Sequence, residues 1–89
     1  MKAVVTVIGH DTLGIISKVS AACAEAGANI IDITQSVLRE YFAMIMLIDL
    51  AQMNKPFSAF VDEMHELGRQ NGLEIHTMHE DIFNTMHKI

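Results

Sequence analysis

The sequence predicts an α+β fold in which one four-stranded antiparallel sheet carries two helices on the same face. The 89 residues are enough for one domain. Segments with strand and helix periodicity follow one another as strand–helix–strand, and the same order then repeats. Right-handed crossovers in both halves bring the four strands into one sheet, which is the ferredoxin-like arrangement. This topology places the first and third strands at the centre and the other two at the edges.

The first half of the chain has the pattern of a strand, a helix and a second strand. Residues 4–8 are rich in β-branched side chains and end at Gly9, as strands often do. Apolar residues then recur at helical spacing as far as Gly27, a typical C-cap, so a helix is predicted over 13–26. Apolar and polar residues alternate over 29–38, which predicts a strand with one buried face. The apolar positions expected to face inward are Ile31, Ile33 and Val37.

The second half begins with the most apolar segment of the chain. Residues 41–50 are almost continuously apolar, which predicts a central strand covered on both faces. Pro56 is typical of the first turn of a helix, and residues 71–72 (Asn-Gly) are typical of its end. A final strand is predicted over 73–79, with Ile75 facing inward.

The end of the chain is predicted to form a short tail helix. On a helix over 81–89 the apolar residues share one side; they are Ile82, Phe83, Met86 and Ile89. We therefore divide the chain into a domain over 1–79 and a C-terminal tail over 80–89. The tail is expected to cover apolar surface of the sheet or of a second subunit.

Composition excludes several kinds of partner. A net charge of −5 argues against nucleic acids and against anionic membrane surfaces, because both attract clustered Lys and Arg. The single cysteine, Cys23, cannot form an internal disulfide, which is typical of a reduced cytoplasmic protein. No apolar run reaches the length of a membrane span. Hydrophobic residues make up 51% of so short a chain, which predicts apolar surface buried in a homodimer.

One loop has the features of a small anion site. Residues 9–15 (GHDTLGI) connect the first strand to the first helix and contain two glycines. The first turn of a helix has free backbone N–H groups and the positive end of the helix dipole. A second glycine turn at Gly27 delivers Asn29 and Asp32 to the next strand. The pattern indicates a small polar ligand and no catalytic apparatus.

These motifs together resemble the ACT domain, and the likeness extends over residues 2–79. They read Gly9-x-Asp11-x-x-Gly14-Ile15 and Gly27-x-Asn29-Ile30-x-Asp32, separated by a helix and followed by a long apolar strand. ACT domains are ferredoxin-like modules that bind amino acids or similar small ligands, usually between two copies. The chain looks closest to small stand-alone ACT proteins and to the ACT units of glycine-cleavage regulators and formyltetrahydrofolate deformylases. One departure is Thr12-Leu13, where many of these loops have Arg-Pro.

The resemblance implies a set of ligand-binding residues. Side chains at Asp11 and Asn29 are expected to contact the ligand, as are the backbone N–H groups around Leu13, Gly14 and Ile15. The remaining candidates are His10 and Ile30.

For several of these residues a structural role is the alternative to ligand binding. Asp11 suits a ligand ammonium group or a helix N-cap. Gly14 suits close ligand approach or close packing of the helix on a strand. Asn29 suits hydrogen bonding to a ligand or a left-handed backbone. His10 suits a ligand carboxylate or an exposed loop without a role.

The chain lacks the motifs of several enzyme classes. No Lys-Ser/Thr follows the glycine loop, as a P-loop requires, and there is no dinucleotide-binding fingerprint. His76 and His79 are expected on opposite faces of a strand, which disfavours metal binding. With what the resemblance implies, we expect a cofactor-free, non-catalytic, homodimeric sensor of an amino acid or related small metabolite that acts on a partner enzyme or regulator. The alternative is a homodimeric scaffold or protein-interaction module with a vestigial ligand site.

Overall fold

The computed structural model of the protein describes residues 1–10 and 14–86, and its fold has a sheet with helices on both faces. The elements in chain order are β1 (Lys2–Gly9), α1 (Ile15–Ala26), β2 (Asn29–Leu38), β3 (Tyr41–Asp49), α2 (Phe57–Asn71), β4 (Glu74–His79) and α3 (Glu80–Met86). The strands form one antiparallel sheet in the order β2-β3-β1-β4. The predicted ferredoxin-like βαββαβ fold is confirmed, with β1 and β3 at the centre.

Glycines end both long helices, as the sequence predicted. Gly27 has a left-handed backbone with φ of 76°, and the N–H of Ala28 donates to the carbonyl of Cys23 at 2.9 Å. Gly72 has φ of 67°, and the N–H of Leu73 donates to the carbonyl of Gly68 at 2.8 Å. Glycine adopts this conformation without a Cβ clash, so each helix ends where its glycine lies.

The core lies between one face of the sheet and the two long helices. Its largest fully buried side chains are Phe60, Met44, Met46, Ile48, Met64, Val5, Val7, Val19 and Cys23. On β3 the even positions are buried, whereas Ile45 on the other face is 45% exposed. The prediction that β3 is covered on both faces is therefore wrong. The two long helices bury the centre of one face, whereas the seven residues of α3 cover only part of the other.

The strand β2 departs from the predicted alternation. A bulge lies between Ile30 and Asp32, and it shifts the register of pairing with β3. The bulge leaves Ile31 45% exposed. Val37 keeps the predicted inward register, opposite the buried Phe42, but it lies near the end of an edge strand and is 66% exposed. Ile33 alone of the three predicted inward residues is half-buried. An edge strand has a neighbour on one side only, so β2 leaves apolar surface uncovered.

The tail helix α3 packs on its own sheet, on the face opposite α1 and α2. It contacts β1 and β4, and Phe83 is half-buried against that face. Ile82 and Met86 remain 55% and 64% exposed, so only part of the predicted apolar side is covered. Ile89 lies outside the described residues. Within residues 1–10 and 14–86, no helix is long and apolar enough to cross a membrane.

Candidate functional site

The predicted ligand loop follows β1 at one end of the sheet. Gly9 ends β1 opposite Phe42, and the exposed His10 comes next. The imidazole of His10 lies against the ring of Tyr41, with centroids 4.7 Å apart and planes inclined by 50°. Asp11 and Leu13 lie outside the described residues, so their predicted contacts with a ligand stay predictions.

Gly14 forms the entry to α1, and its backbone explains why it is glycine. Its φ is 75°, and its carbonyl accepts a hydrogen bond from the N–H of Lys18 at 3.0 Å. A Cβ placed on Gly14 would meet only Cε of Lys18, at 3.9 Å, among the described atoms within 4 Å. Close packing on a strand is therefore not the reason for this glycine. The reason is the left-handed backbone conformation, which glycine adopts without a Cβ clash.

The start of α1 offers backbone rather than side-chain groups to a ligand. Gly14 is exposed, whereas Ile15 is only 4% exposed, so Ile15 can offer its N–H but little of its side chain. The first turn of α1 contains no acidic residue. Free N–H groups and the helix dipole therefore favour an anion here, and no carboxylate of that turn competes for them.

Lys18 is a candidate that the sequence analysis missed. Its ammonium donates a hydrogen bond to Oδ1 of Asn71, at the end of α2, at 2.8 Å. Its side chain also passes beside Gly14. A basic residue four positions after the glycine of the loop was the available signal, because residues spaced by four lie on one side of a helix. The structure thus adds a cation beside the predicted anion site.

Asn29 and Ile30 lie at the other end of the sheet from the ligand loop. Asn29 is opposite Asp49, which is opposite Lys2 at the start of β1. The loop instead follows Gly9, at the end of β1. At ~3.3 Å per residue, the two ends of β1 are roughly 20 Å apart. A single chain therefore does not bring Asn29 together with the loop. Asn29 is exposed and Ile30 is half-buried.

A groove of about 500 Å³ opens beside the loop, and we call it the corner groove. It lies between the end of β1, the start of β3, the last turn of α2 and the start of β4. The side chains that line it include Ile8, His10, Tyr41, Arg69, Leu73 and Glu74. Residues distant in sequence meet here because three strand ends and one helix end share a corner of the sheet.

Arg69 in the groove wall is bound to a carboxylate of its own helix. Its Nε donates to Oε2 of Glu66 at 2.8 Å, and its Nη2 contacts Oε1 of the same carboxylate. These hydrogen bonds lower the pKa of Glu66 and raise the pKa of Arg69. Both side chains face solvent, so the pair neutralises charge more than it stabilises the fold.

Comparison with known proteins identifies the family. The family model of the ACT domain matches residues 2–78. The chain belongs to the ACT domain family. It is 44% identical to a UPF0237 protein of Clostridium perfringens over 89 residues, which is all of both chains. ACT domains are regulatory modules that bind small molecules and commonly dimerise.

Solved structures agree with this family and with the fold. The structure of an ACT domain protein from Streptococcus pneumoniae is 37% identical, has a TM-score of 0.82 and shares 93% of each chain with this one. A formyltetrahydrofolate deformylase from Pseudomonas syringae pv. tomato is 16% identical with a TM-score of 0.78. That match covers 88% of this chain and 27% of the deformylase, and it shows the fold alone.

A second cavity of this ACT domain is mostly apolar. It has a volume of about 460 Å³ and lies between α3 and the face of the sheet that α1 and α2 leave open. Its lining includes Thr6, Ile8, Ile45, His76, Met78 and Phe83. It contains no carboxylate among the described residues that line it, so it is a poor match for a zwitterion.

The two histidines of β4 lie on opposite faces of the sheet of this ACT domain. His76 is exposed, with Nε2 at 3.5 Å from Glu74, whereas His79 contacts the ring of Phe57 on the helix side of the sheet. Burial raises the pKa of Cys23 to about 11, so its thiol stays protonated at neutral pH. Within residues 1–10 and 14–86, no three His, Cys, Asp or Glu residues are grouped to hold a metal ion.

Proposed function

We propose that this ACT domain is a non-catalytic cytoplasmic sensor that binds an amino acid or a related small metabolite between two copies of the chain. The observation that carries the proposal is the start of α1. Among the described residues, only Cε of Lys18 comes within 4 Å of the position that a Cβ on Gly14 would take, and the ammonium at the end of that side chain donates to Asn71. Binding there would act on an enzyme or regulator that the ACT domain controls.

A zwitterionic amino acid suits the charges at this end of the sheet. Its carboxylate would accept hydrogen bonds from the backbone N–H groups of Leu13, Gly14 and Ile15, at the positive end of the α1 dipole. Lys18 would add a full positive charge nearby. The side chain of Asp11 would accept a charge-assisted hydrogen bond from the ligand ammonium.

The exposed edge of β2 supports a site shared by two subunits. Its free backbone groups can pair with a second copy, and Ile31, Val37 and Leu38 are exposed along it. Antiparallel pairing about a two-fold axis places the start of one β2 beside the end of the other. The partner subunit's Asn29 would then lie near Val37, which shares its register with Phe42 and Gly9. Three strand spacings, about 14 Å, separate the backbone of the partner's Asn29 from that of Gly9, so the side chain of the partner's Asn29, the loop and the ligand would together bridge that distance.

The second candidate function is a homodimeric scaffold with a vestigial site. Thr12-Leu13 makes the loop less rigid than the Arg-Pro of many related loops, and the exposed apolar residues suit a protein partner. Ligand binding separates the two functions, because a scaffold requires none.

Calorimetric titration of the protein with the twenty amino acids, together with its thermal unfolding, tests the sensor. We expect heat and a raised melting temperature for a subset of them, since a ligand at 100 times its dissociation constant stabilises the fold by about 2.7 kcal/mol. Asp11→Ala should abolish that gain and cost the apo protein about 1 kcal/mol at most, as loss of a helix cap does. No heat and no shift with any amino acid would favour the scaffold.

A further inference from the structure

The corner groove shows which class of ligand the site would select. We propose that it receives a positively charged side chain, so that the ligand is a basic amino acid; this rests on the proposed amino-acid site at the loop. Gly9 and His10 belong both to the groove and to the start of the loop. A ligand held at the loop can therefore extend into the groove, whose volume of about 500 Å³ is ample for a lysine-like side chain.

Glu74 supplies the negative charge of the groove. Its side chain is 77% exposed, so its carboxylate is accessible to a ligand. The ion-pair contact that the structure gives it is Nε2 of His76, at 3.5 Å, and an imidazole is cationic only when protonated. A ligand ammonium or guanidinium group would provide a permanent counter-charge.

Arg69 does not make the groove positive. Nε and Nη2 of its guanidinium group both contact the carboxylate of Glu66. The positive charge of Arg69 is therefore balanced by the negative charge of Glu66. The groove also contains the last turn of α2, at Gly68 and Arg69, and the cap at Gly72. The C-terminal end of a helix carries partial negative charge, which adds to that of Glu74.

Two aromatic rings and apolar side chains complete the match to a basic side chain. The rings of Tyr41 and His10 contact each other at the groove wall, and Tyr41 is 45% exposed. The faces of aromatic rings attract cations. Ile8 and Leu73 offer apolar surface to the methylene groups between the two ends of a basic amino acid.

Titration calorimetry with lysine, norleucine and glutamate tests the ligand class. Norleucine has the same aliphatic stem as lysine and lacks its charged end. We expect lysine to bind about tenfold more tightly than norleucine, and glutamate to bind more weakly than either. Glu74→Gln should reduce the lysine preference to near unity with little effect on norleucine. Glu63→Gln is the control, because it removes the same charge from a residue of α2 outside the groove, where Glu63 pairs with Lys55.

The outcomes separate this inference from the proposed function. Equal affinities for lysine and norleucine would overturn the basic-ligand inference while leaving an amino-acid sensor. An equal loss of lysine affinity in Glu74→Gln and Glu63→Gln would also overturn it, because the effect would then come from net charge. Absence of binding by all three amino acids, and by the other amino acids of the panel, would overturn both.

Discussion

The ammonium of Lys18 on α1 donates a hydrogen bond of 2.8 Å to the side-chain oxygen of Asn71 on α2. The amide nitrogen of Asn71 in turn donates to the carbonyl of Leu67 at 2.8 Å. The bridge joins the helix start beside the ligand loop to the helix end beside the corner groove. The two parts of the proposed site are thus joined by a polar contact, and the Lys18 ammonium, which has three N–H donors, can hold Asn71 and a ligand carboxylate at once.

Replacement of Lys18 tests this contact. We expect Lys18→Met to weaken amino-acid binding about tenfold, because a charged hydrogen bond to the ligand carboxylate is lost. The fold should lose less than about 1 kcal/mol, since the bond to Asn71 is exposed. Calorimetric titration and urea unfolding measure the two effects. Lys55→Met, which breaks an exposed ion pair with Glu63, should leave binding unchanged. Equal binding by wild type and Lys18→Met would remove Lys18 from the site.

Two glycines with similar backbones should respond differently to alanine. Gly14→Ala is expected to cost about 1 kcal/mol, because φ is 75° while, among the described atoms, the new Cβ would meet only Cε of Lys18 at an ordinary contact distance. Gly27→Ala is expected to cost about 3 kcal/mol, because its Cβ would also lie 2.5 Å from the backbone oxygen of Gln52. Chemical denaturation gives both values. Equal losses would show that steric contact at Gly27 is relieved at no cost.

A charge on the edge of β2 should weaken the proposed dimer. Val37→Lys places a cation on the edge of β2, which pairs with the β2 edge of the second subunit in the proposed dimer. We therefore expect the dissociation constant of the dimer to rise about tenfold or more. Val37 is 66% exposed, so the monomer should keep its stability. Sedimentation velocity measures the shift, with Ile82→Lys on α3 as the control. If Ile82→Lys dissociates the dimer and Val37→Lys does not, the interface lies on the α3 side of the sheet.

The tail helix should stabilise the domain mainly through one side chain. Phe83 is half-buried over the sheet, so Phe83→Ala is expected to cost about 1–2 kcal/mol, less than truncation of a fully buried Phe. Ile82 is 55% exposed, and Ile82→Ala should cost under about 0.5 kcal/mol. Thermal and urea unfolding compare the two. A Phe83→Ala protein that unfolds like the wild type would show that the contact of Phe83 with the sheet does not stabilise the domain.

The buried thiol predicts a pH dependence of stability. Burial raises the pKa of Cys23 from 9.0 to about 11, so the folded protein holds this proton more tightly than the unfolded chain. The contribution of Cys23 is therefore complete below pH 9 and falls as the pH rises from 9 towards 11. Urea unfolding across this range should show a smaller decrease for Cys23→Ala. The same decrease in both proteins would assign the pH dependence to other groups.

The sequence by itself determined the order of the elements and the topology of the sheet. Strand and helix periodicity is local, and Gly27 and Gly72 mark helix ends through their own backbone conformations. Once the order was known, the handedness of crossovers left one sheet with β1 and β3 at its centre. The likeness to ACT domains could be seen for the same reason, since its motifs lie in short glycine turns.

Only the tertiary structure decided which faces are covered and which site residues meet. Ile45 is exposed because the short helix α3 covers only part of its face of the sheet. Ile31 is exposed because of the bulge in β2. The periodicity of the sequence predicts neither feature. The strand register placed Asn29 at the far end of the sheet from the loop. It was also the packing of distant segments that brought Tyr41 and Glu74 to one groove. Local sequence patterns specify each element, whereas contacts between elements depend on how all of them pack together.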